Sequence, residues 1–149
     1  MPHLLGCGSP VLHYDEFAMA MFDASHWGAV LVVDDDFDFR EAVAEVLESF
    51  GHRVFTAMNG REALRQLQDG VPRPCLILLD WILPPPAGPE LLAQLGRLPD
   101  APELSVIVIT ASTRLLPPAF PAPVRGVLTK PFDIEDLLAA VGRRRQLVR

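Results

Sequence analysis

Apolar residues in this chain fall into short runs separated by turn residues and amphipathic stretches. The sharpest run is Cys75-Leu76-Ile77-Leu78-Leu79, closed by Asp80. Five apolar residues are too few for a free-standing helix and predict a strand buried on both faces. Two other runs end in polar groups the same way, Ala29 to Val33 in Asp34-Asp35-Asp36 and Val106 to Ile109 in Thr110. A more mixed run, Val124 to Leu128, ends in Thr129-Lys130, and Arg53 to Ala57 alternates as an edge strand does.

Helical periodicity fills the gaps. From Asp36 to Phe50 one stripe carries Phe39, Val43, Val46, Leu47 and Phe50, with Gly51 as stop. Asn59-Gly60-Arg61-Glu62 reads as an N-cap with an acid three residues on, opening a helix to about Asp69. Pro84-Pro85-Pro86-Ala87-Gly88 predicts a rigid turn, and Pro89 starts a helix through Leu91, Leu92 and Leu95. Asp133 to Asp136 caps a last helix with Leu137, Leu138 and Val141 inward, and Arg143-Arg144-Arg145 at its end complement the helix dipole.

Alternating strands and helices predict an α/β fold: a doubly wound, five-stranded parallel sheet with helices on both faces. Placing the most apolar runs inside and the mixed ones at the edges gives the strand order 2-1-3-4-5, a flavodoxin-like arrangement. One crossover breaks the pattern. Pro117, Pro118, Pro121 and Pro123 lie where a fourth helix should run between strands four and five. An interior proline costs a helix about 3 kcal/mol, so the fourth helix is expected to be short or absent, with at most one turn around Ser112 to Leu116. Residues 1–27 carry no regular pattern and are expected to be a poorly ordered extension or a short packed helix, leaving 28–149 as the domain.

Composition narrows the class. The chain has 149 residues, half of them hydrophobic, which fits one globular domain with a real core. A net charge of −6 argues against a nucleic-acid surface, and no apolar run approaches the ~18 residues of a membrane span. Cys7 and Cys75 form neither a disulfide framework nor a metal pair, so a reducing, cytoplasmic setting is expected. Leu4-Leu5-Gly6-Cys7 echoes a lipoprotein cleavage site but lacks the basic and apolar regions before it. The 13 basic residues include a single lysine, Lys130. A compact ammonium reaches a phosphate or carboxylate as a point charge, as a planar guanidinium cannot.

The C-terminal ends of neighbouring parallel strands share one rim, where such sheets bind ligands. If the strands are parallel neighbours, that rim collects the carboxylates of Asp34-Asp35-Asp36 and Asp80, the hydroxyl of Thr110 and the ammonium of Lys130. In outline this is a divalent-metal and phosphoryl site.

At this point residues 29–145 resemble the receiver domain of two-component response regulators, in particular its single-domain, chemotaxis-regulator-like members. The resemblance rests on Val30-Leu31-Val32-Val33-Asp34-Asp35 with Arg40 following, and on Asn59-Gly60-Arg61-Glu62-Ala63-Leu64. It continues in Leu78-Leu79-Asp80 with Pro84 and Gly88, in Thr110-Ala111, and in Leu128-Thr129-Lys130-Pro131-Phe132, all in order. The 2-1-3-4-5 order is already associated with a chemotaxis member of this family, so it lends no independent support.

The resemblance implies roles. Asp80 would be the nucleophile that takes a phosphoryl group from a phosphohistidine on a sensor histidine kinase or a histidine phosphotransfer protein. Asp35 would bind Mg²⁺ (or Mn²⁺) directly and Asp34 mainly through water, with Asp80 and the backbone carbonyl of Ile82 completing the protein ligands. Thr110 and Lys130 would bind phosphoryl oxygens, and Asp36 would cap the first helix. The Lys130-Pro131 bond is expected to be cis. The chain would then be a stand-alone receiver, not an enzyme beyond its own phosphoryl transfer and slow autodephosphorylation. It would be a monomer or weak dimer, signalling by binding a downstream protein, with no output domain after the last helix.

Two features depart from the family. Val127 stands where an aromatic is common three residues before the lysine, and the fourth crossover is proline-rich and short. Both bear on the usual output face and on any dimer built on it. A second reading is a receiver-like constitutive interaction module with vestigial phosphorylation. A haloacid-dehalogenase-type phosphohydrolase lacks its Asp-x-Asp-x-Thr signature here, and a flavin-nucleotide site would face three acids.

Overall fold

The structure, a computed structural model, describes residues 27–148, and of residues 143–148 the backbone alone. The expectations for residues 1–26 and for the side chains of Arg143, Arg144 and Arg145 lie outside the described residues. Among the described residues, five strands alternate with four helices: β1 Ala29–Val33, α1 Phe37–Ser49, β2 Val54–Ala57, α2 Gly60–Gln68, β3 Cys75–Asp80, α3 Gly88–Gly96, β4 Leu104–Thr110, β5 Val124–Thr129 and α4 Ile134–Val148. The sheet is parallel throughout, in the order β2-β1-β3-β4-β5. This is the expected doubly wound arrangement.

Every residue of β1, β3 and β4 is buried, as continuous apolar runs require of central strands. Successive side chains leave a strand on opposite faces, so each run supplies two cores. Leu31, Ile77, Leu79 and Val108 pack with Ala63 and Leu67 of α2 and Leu91 and Leu95 of α3 on one face. Val30, Val32, Leu76, Leu78, Ile107 and Ile109 pack with Leu47 of α1 and Leu137, Leu138 and Val141 of α4 on the other. Trp27 joins this second core, and its indole N–H donates to the Val141 carbonyl at 2.8 Å.

The caps are local and sequence-driven. Asp36 accepts from the Phe39 amide at 3.2 Å, so it is the N-cap of α1. Asn59 caps α2 by accepting from the Glu62 amide at 2.8 Å, while Glu62 reaches one residue past the usual box to the Met58 amide at 2.7 Å. Asp133 and Asp136 each accept from the other's amide, at 2.8 and 3.3 Å. Gly51 ends α1 with φ of 92°, in the left-handed region where glycine is favoured.

Between β4 and β5 the only helical turn is the short 3-10 segment Thr113–Leu115, opened by Ser112. The four prolines exclude a longer one, as expected. What replaces a helix against the α2/α3 core is Phe120, whose ring meets Trp81 edge-on at 5.3 Å, together with Leu116. The pairing of β4 with β5 slips by one residue between Val106 and Ile107, where Arg125 is inserted.

Candidate functional site

Strand register alone assembles the site. Val33 pairs with Leu79, so the next residues, Asp34 and Asp80, leave the sheet side by side. Asp80 pairs with Ile109 and Thr110 with Thr129, which sets Thr110 and then Lys130 on the same rim. Asp34, Asp35 and Asp80 each present a carboxylate oxygen, and the three oxygens lie within 4.8 Å of one another. Asp34 and Asp80 are buried, and Asp35 is exposed.

Asp34 is the most firmly held of the three. One carboxylate oxygen accepts from the Asp36 amide at 2.8 Å, and its main-chain carbonyl accepts from the Arg40 guanidinium at 2.7 Å. Its second carboxylate oxygen faces the Lys130 ammonium at 3.4 Å. Lys130 is itself fixed at two ends. Its amide donates to the Thr110 carbonyl at 2.8 Å, and its ammonium lies 4.2 Å from the centroid of the Phe39 ring. Phe39 in turn packs edge-on against Phe132 at 5.8 Å. The Lys130-Pro131 peptide is cis.

Asp80 is held by one contact, the Ile82 amide donating to its Oδ1 at 3.2 Å. Burial pushes its carboxyl up to about 6, the neighbouring Asp34 charge adds to the rise, and the Ile82 amide and Lys130 oppose it. A divalent cation beside these carboxylates would favour the ionised form of Asp80. The donor set is three hard oxygen ligands at a partly open rim, which fits Mg²⁺ or Mn²⁺.

Thr110 is completely buried, and its hydroxyl is engaged locally. It donates to the Ser112 carbonyl at 3.0 Å and accepts from the Ser112 amide at 3.2 Å. It therefore faces the start of the loop that replaces the fourth helix. Ile82 contributes its amide to Asp80, while its side chain is exposed.

Three participants were not assigned a part from the sequence: Arg40 as an anchor of Asp34, Phe39 beneath the ammonium, and Ser112 as the partner of Thr110. Phe39 falls on the apolar stripe of α1 and reads as core. Only its place in the first turn, directly after the acidic triplet, hints that its ring reaches the rim.

The profile of the response regulator receiver domain matches residues 30–142. The phosphate regulon transcriptional regulatory protein PhoB of Escherichia coli is 34% identical over 119 residues, covering 75% of this chain and 49% of that protein. The response regulator MprA of Mycolicibacterium vanbaalenii is 37% identical over 124 residues, covering 80% and 50%. The chain thus spans about half the length of these curated relatives. Among solved structures, the chemotaxis response regulator CheY4 of Vibrio cholerae is 28% identical with a TM-score of 0.66, covering 77% of this chain and 96% of that one. The response regulator TrrA of Thermotoga maritima, solved in complex with Mg²⁺ and BeF, is 27% identical with a TM-score of 0.67 and the same coverage. With the matching profile, the parallel 2-1-3-4-5 sheet and the acidic rim, this chain belongs to the response regulator receiver domains of two-component signalling.

Proposed function

We propose that this receiver accepts a phosphoryl group on Asp80 from the phosphohistidine of a sensor histidine kinase or histidine phosphotransfer protein, and signals by binding a downstream protein. The observation that carries the reading is the convergence of three carboxylates, one hydroxyl and one ammonium where four strands end. The Asp80 oxygen not held by Ile82 is the nucleophile. It forms a bond to phosphorus as the phosphorus–nitrogen bond of the donor breaks, and the electron pair stays on the imidazole. Asp34, Asp35, Asp80 and the Ile82 carbonyl are the residues that would hold Mg²⁺, which when bound neutralises charge on the transferring group. Lys130 leaves Asp34, at 3.4 Å a weak partner, for a phosphoryl oxygen. Thr110 takes another by releasing Ser112. Phe39 confines the ammonium to this rim throughout.

The alternative of a constitutive module is favoured by Val127 and by the missing helix. Incubation with acetyl phosphate separates this alternative from the main proposal. Phosphate incorporation that appears with Mg²⁺ or Mn²⁺ and vanishes with EDTA is expected. A chain that binds its partner equally with and without acetyl phosphate, and takes up no label, would be the constitutive module.

A further inference from the structure

Among the described residues Lys130 has one ion-pair partner, Asp34, at 3.4 Å, and Asp80 receives no hydrogen bond from it. Charge alone does not explain that choice. Carboxylate oxygens of Asp34 and Asp80 lie within 4.8 Å of each other, so an ammonium on a flexible stem could sit between them and pair with both. The asymmetry has its counterpart on α1, where the Phe39 ring centroid lies 4.2 Å from the ammonium. Phe39 is in the first turn of α1, and helical side chains lean toward the helix N-terminus, so its ring overhangs the rim. The ring is not free to follow the lysine. It packs on the core shared by α1 and α4 and meets Phe132 edge-on at 5.8 Å.

We propose that Phe39 is a positioning residue that draws the Lys130 ammonium onto Asp34 and away from Asp80, leaving the nucleophile unpaired until a phosphoryl group arrives. The kinetic consequence rests on Asp80 being the phosphoacceptor, whereas the placement of the lysine rests on the contacts above. An ammonium paired with Asp80 would tie up the lone pairs that attack phosphorus. Held by the ring and Asp34, it leaves that oxygen free, and its stem still lets it reach a phosphoryl oxygen that Asp80 carries. The Lys130 side chain is only 27% exposed, so its ammonium is partly desolvated. The attraction of such a cation to an aromatic face is worth roughly tenfold in an equilibrium. That is enough to decide between two carboxylates of equal charge. An aliphatic side chain at this position would fill the space without exerting the pull.

Lys130 is the only lysine of the chain, so isotope-labelled lysine gives a single ε-methylene NMR signal in the full-length protein. In wild type the ring face should shift that signal upfield of free lysine, and Asp80→Asn should leave it in place. Phe39→Leu, which removes the aromatic face and keeps an apolar side chain, should return the signal to the free-lysine position. In that background Asp80→Asn should move it, because the ammonium then pairs with Asp80. Phe39→Tyr should keep the upfield position. Phosphoryl uptake from acetyl phosphate should fall roughly tenfold in Phe39→Leu, with little change in Mg²⁺ affinity, and recover in Phe39→Tyr. A wild-type signal at the free-lysine position, an upfield shift that survives Phe39→Leu, or equal uptake by wild type and Phe39→Leu would overturn the proposal. If wild type itself takes up no phosphate, the phosphoacceptor reading fails, and the lysine signals still decide where the ammonium is held.

Discussion

At the scale of single residues, the site is a balance of like charges that one lysine does not resolve. Asp80 titrates near 6 in the folded protein, against 3.8 ordinarily, chiefly because it is buried and then because Asp34 is beside it. Between those two values the folded state holds a proton that the unfolded chain has released. Rising pH therefore removes stability through this window, and the full penalty, about 3 kcal/mol at most, is in place above pH 6. Urea denaturation in EDTA should show Asp80→Asn more stable than wild type at pH 7, with the gap closing toward pH 4. Excess Mg²⁺ should shrink the gap at pH 7, because the cation favours the charged form. His52 is buried and its ring is pushed below 6.5, so it acts in the opposite direction with pH, but it is common to both proteins and cancels in the comparison. Equal stability of the two proteins at pH 7 in EDTA would contradict the crowding. Lys130→Arg preserves charge, yet a planar, longer group must displace Phe39 or Thr110 to reach the same point. It should slow phosphoryl uptake well beyond any change in Mg²⁺ affinity. Wild-type uptake rates would remove Lys130 from the proposed role.

At the scale of elements, the loop after β4 is where this receiver departs from its family. Thr110 holds Ser112 through both hydrogen-bonding partners of its hydroxyl, so turning Thr110 toward Asp80 must free the start of the 111–123 segment. Phosphorylation or a beryllofluoride mimic should therefore change amide exchange in this loop and leave α2 unaffected. An unchanged loop would show that the signal leaves elsewhere. A second element-scale test concerns the turn after β3. A side chain at Gly88 would collide with the Trp81 ring, and that ring carries Phe120. Gly88→Ala should cost about 1–3 kcal/mol by forcing the ring to move, read as a lower urea midpoint, with loss of the loop's packing.

At the scale of the whole molecule, strand order and rim were legible because both follow from hydrophobic continuity. Runs such as Cys75–Leu79 and Val106–Ile109 must be interior, and interior parallel strands bring their terminal residues together. The missing helix was legible because Pro118, Pro121 and Pro123 act on the local backbone. What was hidden depends on contacts between segments distant in the chain. Phe39 beneath Lys130 and Phe120 against Trp81 look like ordinary apolar positions until the fold brings their partners near. Asp34 and Asp35 could be placed together from sequence, but which is buried and bound to Lys130 follows from the depth of β1 in the sheet.

The central claim is that Asp80 is the phosphoacceptor, and intact-protein mass spectrometry after acetyl phosphate and Mg²⁺ tests it most directly. The expected result is one added phosphoryl group, stable in acid and lost in base, mapped to the peptide containing Asp80 and absent from Asp80→Asn. Equal incorporation into Asp80→Asn, or a phosphoryl group mapped to another peptide, would contradict it.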